Sequence, residues 1–271
     1  MRPLLAPLCA LAGLALTASP ALAQYLTNTT VPEPVVGEDY HVEFAANLWR
    51  PGPDIVISSE GLGILGSEID FVVDLGLQEK NIGDYRITLR PWRKHKFHAD
   101  FLPIRYSGEA SLNKRIIFNG IAYDIGVTVG SSLTWDTWNL FYEYDFIYRD
   151  RFYIGFLLGA KYTQLRAEIT SPVETQFTEV KFPIPALGGS FRVYPIRNLQ
   201  VTGTLTLFDM PEPINGAEGQ YYDVDVSATY NFTNNIGIQG GFRSIEVEYL
   251  ADQDSGRLDV DGAYVGAVVR F

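Results

Sequence analysis

Apolar and polar residues alternate strictly through several long segments of the chain. From Trp138 to Tyr148 one parity carries Trp138, Leu140, Tyr142, Tyr144, Phe146 and Tyr148, and the other carries Asn139, Glu143 and Asp145. A period of two puts successive side chains on opposite faces of an extended strand, whereas a helix would mix the two sets. After the charged turn Arg149-Asp150-Arg151, one face takes Phe152, Ile154, Phe156, Leu158, Ala160 and Tyr162, and the other takes Gly155, Gly159, Lys161 and Thr163, which predicts a hairpin. Leu199 to Leu207 and Tyr222 to Tyr230 repeat the pattern, with Gln200, Thr202, Thr204 and Thr206 opposite the first and Asp223, Asp225, Ser227 and Thr229 opposite the second. Two further segments fit if one extra residue at a bulge exchanges the faces. Phe97, Ala99 and Phe101 give way after Leu102-Pro103 to Ile104 and Tyr106, which keeps His98, Asp100 and Arg105 on the polar side; Ile236, Ile238 and Phe242 give way near Ser244 to Ile245, Val247 and Tyr249.

These segments have the length of membrane-crossing strands. A tilted strand spans hydrocarbon in about 9–11 residues, while the longest apolar run, Phe152 to Ala160, is far short of the ~20 residues a helix needs. The links Pro91 to His95, Arg149 to Arg151, Pro195 to Asn198 and Thr233 to Asn235 are short. Those at Ile169 to Lys181, Asp209 to Gly219 and Leu250 to Gly256 are longer. Alternating short and long connections predict a closed antiparallel transmembrane β-barrel with short periplasmic turns and longer extracellular loops. Phe97, Tyr148, Phe152, Phe232 and Phe271 lie near turns, as an interfacial girdle would. A soluble sandwich or lipocalin-like barrel also alternates, but it turns its polar face outward.

The count comes to about ten strands: 40–49, 84–90, 97–109, 133–148, 152–168, 182–194, 199–208, 220–232, 236–249 and 257–271. Pro51 to Gly83 holds a strand-like piece, Ile69, Phe71, Val73 and Leu75 against Asp70 and Asp74, and Arg115 to Val129 holds an Asn119-Gly120 hairpin signal. Both are read as ordered outer loops. If the first makes another spanning pair the count becomes twelve, and eight is the smaller alternative.

The 271 residues begin with a short basic start at Arg2, an apolar stretch from Leu4 to Leu16 and the small-residue site Ala21-Leu22-Ala23, which predicts a secretory signal peptide over 1–23 cleaved after Ala23. The single cysteine, Cys9, leaves with it, so disulfide and thiolate chemistry are excluded from the mature chain. Residues 24–39 then form a periplasmic N-terminal tail, and 40–271 a single barrel domain. A formal net charge of -11 disfavours nucleic-acid binding, and 13% aromatic residues give the girdle its material.

The last strand is the most specific feature. Ala263, Val265, Ala267, Val269 and the C-terminal Phe271 share one face, and a final Phe on an amphipathic strand resembles the bacterial outer-membrane β-barrel proteins. Members of that superfamily often carry another aromatic four residues before the end, where this chain has Ala267. The resemblance covers the cleaved signal and roughly Tyr40 to Phe271. It implies a Gram-negative outer-membrane location, outer-membrane lipids as surroundings, and Phe271 as the signal read by the outer-membrane assembly machinery.

Candidate chemistry is sparse. His41, His95 and His98 all fall toward the periplasmic end, away from where a surface hydrolase or protease would need them. His98 and Asp100 share the inward face and could form an acid/base pair. Asp252-Gln253-Asp254-Ser255-Gly256 faintly resembles the start of a calcium loop, yet Ala263 occupies the place of the closing Glu. No catalytic set, cofactor motif or metal site emerges. The inward faces instead carry charge of both signs: Arg86, Arg90, His98, Asp100, Glu143, Asp145, Lys161, Asp223, Asp225 and Arg243, with Glu43, Arg105, Arg192, Glu246, Asp259 and Asp261 beside them. Arg86, Arg90, His98 and Asp100 flank one short turn and are expected to approach one another. Such side chains would fill a ten-strand bore and pair. The expected function is a narrow or plugged pore or a structural barrel, with small polar solutes or cations as candidate cargo. Surface adhesion or recognition through the outer loops is the alternative, and a lipid hydrolase or protease comes third.

Overall fold

The computed structural model describes residues 34–60, 63–210, 217–251 and 254–271. The expected signal peptide, residues 24–33 of the expected tail, and parts of the Asp209–Gly219 and Asp252–Gly256 loops lie outside the described residues.

The strands are β1 (Val42–Trp49), β2 (Gly52–Ser58), β3 (Ile69–Asp70), β4 (Ile82–Trp92), β5 (His95–Ser111), β6 (Ile116–Phe118), β7 (Ile121–Tyr123), β8 (Thr128–Tyr148), β9 (Phe152–Thr170), β10 (Thr175–Ile196), β11 (Leu199–Asp209), β12 (Ala217–Asn231), β13 (Ile236–Ala251) and β14 (Asp254–Arg270). Pairing runs β1-β4-β5-β8-β9-β10-β11-β12-β13-β14, and β1 returns to β14, with Glu43 opposite Arg270 and Trp49 opposite Tyr264. This closes an antiparallel barrel of ten spanning strands. Pro51 to Gly83 adds no spanning pair: β2 continues β1 along β14, from Gly52 opposite Asp261 to Ser58 opposite Ser255, and carries β3 on its other edge. The Asn119-Gly120 turn joins β6 to β7 with φ of 49° and 78°, the double positive φ that Asn-Gly tolerates best.

Neither bulge expected at Leu102-Pro103 or Ser244 exists. β5 pairs with β8 without a shift from His95 opposite Tyr144 to Ser111 opposite Thr128, and β13 pairs with β14 equally smoothly from Ile236 to Ala251. The alternation never slips; the surroundings invert. In the lower half Phe97 points out, with Lys96 and His98 in. In the upper half Leu102, Ile104 and Tyr106 point in and are buried. Strands that rise beyond the lipid meet water outside, so their apolar parity turns to the interior. Arg105, Glu246, Asp259 and Asp261, expected in the bore, therefore project outward. Arg105 pairs with Asp136 at 2.6 Å, and Arg257 bridges Glu246 and Asp259. The β8–β9 register shifts instead between Asp145 and Ile147, and Tyr148, expected in the girdle, turns inward to accept a hydrogen bond from Arg90 at 3.0 Å.

Two aromatic belts bound the lipid-facing zone. Phe101 stacked on Trp138, with Tyr85 and Tyr162, forms the upper one. Phe44 edge-on to Phe271, with Trp92, Phe152, Tyr230 and Phe232, forms the lower. Along β8 eight residues separate Trp138 from Phe146, roughly 20 Å of membrane normal at ~3.3 Å per residue and ~40° tilt, near the ~25 Å apolar band of such barrels. Above the belts the interior is a dry core in which Trp135, Leu133, Ile104, Leu165, Ile169 and Val260 pack against Ile55, Ile57, Ile69, Phe71 and Leu75 of the first outer segment and Ile116 and Phe118 of the second.

Candidate functional site: the polar chamber of the lower bore

Below that core the inward parity becomes polar, and a chamber of about 150 Å³ remains, lined among others by Arg86, His98, Asp100, Lys161, Thr204, Asp223 and Asp225. A space of that size holds a handful of ordered waters.

The charges around it form two groups. Across the middle, Asp223 accepts from Lys161 at 2.6 Å and Arg243 at 2.8 Å; Arg243 also reaches Asp84 at 3.5 Å. Arg86 then bridges Asp84 and Asp225, each at 2.6 Å, and the Tyr264 hydroxyl donates to Asp225 at 2.7 Å. This ladder of alternating sign starts on β9, crosses to β12 and β13, and ends on β4 and β14, so it ties distant walls together. Toward the periplasm Lys96 donates to Glu143 and Asp145, both at 2.7 Å, while His98 bonds Glu143 at 2.8 Å and Thr88 at 3.1 Å. Lys96 and Lys161 are almost wholly buried, so their long stems end inside the protein and each ammonium depends on its carboxylates.

Residues 34–39, the end of the segment expected as a tail, pack into the periplasmic end of the bore, where Val36, Gly37 and Glu38 are buried. Val36 donates to the Arg197 carbonyl at 2.8 Å, Gly37 to Asn234 at 3.0 Å, and Asn231 donates to the Val36 carbonyl at 2.9 Å. Gly37 has φ of 87°, and a Cβ there would stand 2.7 Å from Asn231, so no other residue fits without displacement. Glu38 then pairs with Arg90 at 2.9 Å and Arg192 at 3.2 Å, and takes a hydrogen bond from the Tyr194 hydroxyl at 2.7 Å. Burial alone would raise its carboxyl, but Arg192 and Arg90 hold it below its ordinary value.

Each charge expected to line the lumen, Arg86, Arg90, His98, Asp100, Glu143, Asp145, Lys161, Asp223, Asp225 and Arg243, sits on the inward parity of its strand. Their partners differ from expectation. Arg86 stands opposite Asp100 in the β4–β5 register, yet its guanidinium goes to Asp84 and Asp225. Asp100 makes no direct ion pair among the described residues, and His98 is held by Glu143 rather than by Asp100. Arg90 belongs with Glu38. Of the other histidines, His41 contacts the Arg90 carbonyl at 3.2 Å and His95 the Tyr142 hydroxyl at 2.6 Å. Asp84 and Lys96 escaped the sequence reading although they are in phase with Arg86 and His98. Glu38 left no trace there, because it lies outside any strand period. Phe271 hydrogen-bonds Val42, the first residue of β1, and His41 just before it, at the seam that closes the barrel.

No family model matches the chain, and no curated protein matches its sequence. Among solved structures, the outer membrane protease OmpT from Escherichia coli superposes with a TM-score of 0.54 at 12% identity, over 85% of this chain and 97% of that one. Ail, the attachment invasion locus protein of Yersinia pestis, gives 0.38 at 7% identity over 83% and 99%, and the Pseudomonas putida toluene transporter TodX gives 0.36 at 8% over 85% and 90%. At these identities the likeness is one of fold. The chain is a closed transmembrane β-barrel with the fold of the bacterial outer-membrane proteins.

Proposed function

We propose that the protein is a sealed outer-membrane barrel, exported by a signal peptide cleaved after Ala23, that spans the membrane without conducting. The observation that carries this reading is a double closure. The Glu38 segment, latched by Arg90, Arg192 and Tyr194, fills the periplasmic end, and the dry core around Phe71, Phe118 and Trp135 fills the outer end. Solutes or cations would have to break both. Its partners are then outer-membrane lipids along the belts and, during biogenesis, the assembly machinery reading Phe271.

Two measurements test it. The unmodified protein should be silent in planar bilayers, and large stable currents would refute the sealed bore. A Thr204→Cys reporter in the chamber, the one cysteine of the mature chain once Cys9 has left with the signal peptide, should resist water-soluble thiol reagents. Adding Glu38→Ala should expose it from the periplasmic face without producing current, because the outer closure stands. Labelling that is unchanged by Glu38→Ala would show that the segment is not the inner seal.

A second reading, recognition through the outer segments, is favoured by Leu65, Val73 and Ile125, which stand about 70% exposed there (71%, 71% and 68%). Replacing all three by Ser should abolish attachment to a surface partner while leaving the barrel intact; unaltered attachment of cells would refute it. Catalysis has less support, since each histidine lies toward the periplasmic end and is engaged by the wall.

A further inference from the structure

The barrel wall is interrupted at its outer end. β10 has 22 residues and β11 only 11, and their pairing stops at Leu187 opposite Leu207. Among the described residues β10 pairs with β9 alone from Thr175 to Ala186, whereas β12 and β13 stay paired up to Ala217 and Ala251. An open strand edge is a liability that prolines commonly blunt. Here Pro183 and Pro185, two apart and so facing the same side, both lack an N–H within the unpartnered stretch.

The gap holds a cavity of about 240 Å³, lined by Phe182, Ile184, Phe208, Tyr221, Val247 and Tyr249 on its apolar side. That is smaller than the ~300–1,000 Å³ of drug-sized sites and suits a single chain or ring. Three observations indicate what would occupy it. The gap in the wall starts above the Leu187–Leu207 rung, whose side chains face outward into the lipid zone, which places the notch at the outer-leaflet boundary. Pro183 stands opposite Tyr162 of the upper aromatic belt, which sets the same height. Tyr249, higher up on β13 than Val247, is buried, and its hydroxyl has no hydrogen-bond partner among the described residues. A buried hydroxyl left unpaired is destabilising, so a ligand able to bond it has an advantage over a pure hydrocarbon.

We infer that this notch binds a single-chain amphiphile from the outer leaflet, with its hydrocarbon against Phe182, Ile184, Phe208 and Val247 and its polar end hydrogen-bonded to the Tyr249 hydroxyl. The inference is independent of whether the bore conducts, since the notch opens through the wall above the polar chamber.

The test is photolabelling of the full barrel in lipid nanodiscs with two probes, a diazirine fatty acid and a diazirine alkane of equal length. The fatty acid should label Phe182, Phe208 and Tyr249 several-fold more than the lipid-facing Leu158 and Ile238. Gly219 faces the notch and has room for a Cβ, its nearest contact being the Glu248 carbonyl at 3.6 Å. Gly219→Phe should therefore abolish notch labelling and leave Leu158 and Ile238 labelled as before. Tyr249→Phe should weaken fatty-acid labelling about five- to tenfold and leave alkane labelling unchanged. Heat-modifiable gel migration verifies that each variant has folded. Labelling confined to Leu158 and Ile238, or notch labelling that survives Gly219→Phe, overturns the site. Equal loss of both probes on Tyr249→Phe overturns the polar-end assignment, and this comparison stands even if Gly219→Phe does not assemble.

Discussion

Replacing Asp223 by Ala removes the anion that Lys161 and Arg243 share. The two cations do not suffer equally. Arg243 keeps Asp84 at 3.5 Å, whereas Lys161, 1% exposed, keeps no carboxylate and retains the Tyr221 hydroxyl at 2.8 Å and the faces of the Tyr221 and Phe141 rings. A buried charge stripped of its partner costs about 3–5 kcal/mol, and the adjoining chamber lets water reach the site, so about 3 kcal/mol is expected. Lys161→Met is the reverse experiment. It removes the ammonium and most of its volume stays filled, while Asp223 keeps two N–H donors of Arg243 at 3.0 and 2.8 Å. Because Asp223 is left paired with Arg243 rather than stranded, the penalty for a lone buried charge does not arise, and a cost within about 1 kcal/mol is expected. The double variant should then be more stable than Asp223→Ala by 1 kcal/mol or more, of the order found when a stranded charge is removed together with its partner. Urea unfolding in lipid vesicles, followed by heat-modifiable migration, measures all three. With an m-value near 3 kcal/mol/M, Asp223→Ala should move the midpoint down by about 1 M. If Lys161→Met costs as much as Asp223→Ala, or the double variant is no better than Asp223→Ala, the ladder does not work as described.

The inversion of faces along the strands has its own test: Ile104→Ala, at a wholly buried inward position, should cost about 2–5 kcal/mol, and Arg105→Ala, in a half-exposed pair with Asp136, less than about 1 kcal/mol. A bulge at Leu102-Pro103 would reverse that order. Phe156 faces lipid and Thr204 the chamber, so Phe156→Arg should cost about 2–4 kcal/mol near mid-membrane and Thr204→Arg distinctly less; equal damage would contradict the assigned parity. The Glu38 latch predicts a pH dependence. Its carboxyl is held below the ordinary 4.5, so its stabilisation is present throughout the range above 4.5 and is lost only as pH falls through the lowered value. The Thr204→Cys reporter should accordingly stay protected from an acid-tolerant thiol reagent at pH 5 and become accessible in stronger acid; exposure already between pH 6 and 5 would refute the latch.

Strand identity was legible because lipid and the polar bore impose opposite demands on alternate residues, as at Trp138 to Phe146, which a helix would mix. The apparent slips at Leu102 and Ser244 were misread for a physical reason. Period two reports that the two faces differ, but not which face meets which solvent, and a strand leaving the membrane exchanges solvents without exchanging parity. Val36 to Glu38 were invisible for another: three buried residues outside any strand carry no period, and their burial follows only from Arg90, Arg192, Asn231 and Asn234 converging on one place in the closed barrel.

The same distinction governs the site. Within the membrane zone parity identified the inward charges, because placing Lys161 or Asp223 in lipid would cost several kcal/mol, but above it Arg105, Glu246, Asp259 and Asp261 were assigned to the wrong face. Parity could not fix partners, because a closed barrel brings side chains together across its bore as well as along its ladders. Arg86 illustrates this: its register neighbour is Asp100, two strands' worth of local pairing, yet its guanidinium reaches Asp225 on β12, far away in sequence. Each such cross-bore pair fixes the distance between opposite walls and occupies the space a solute would need. A wide channel would have to hold these same charges apart, each hydrated on its own wall. Here they meet at 2.6–2.8 Å in the Lys161–Asp223–Arg243 group and at 2.6 Å around Arg86, so these contacts tie β4, β9, β12 and β13 to one another across the bore.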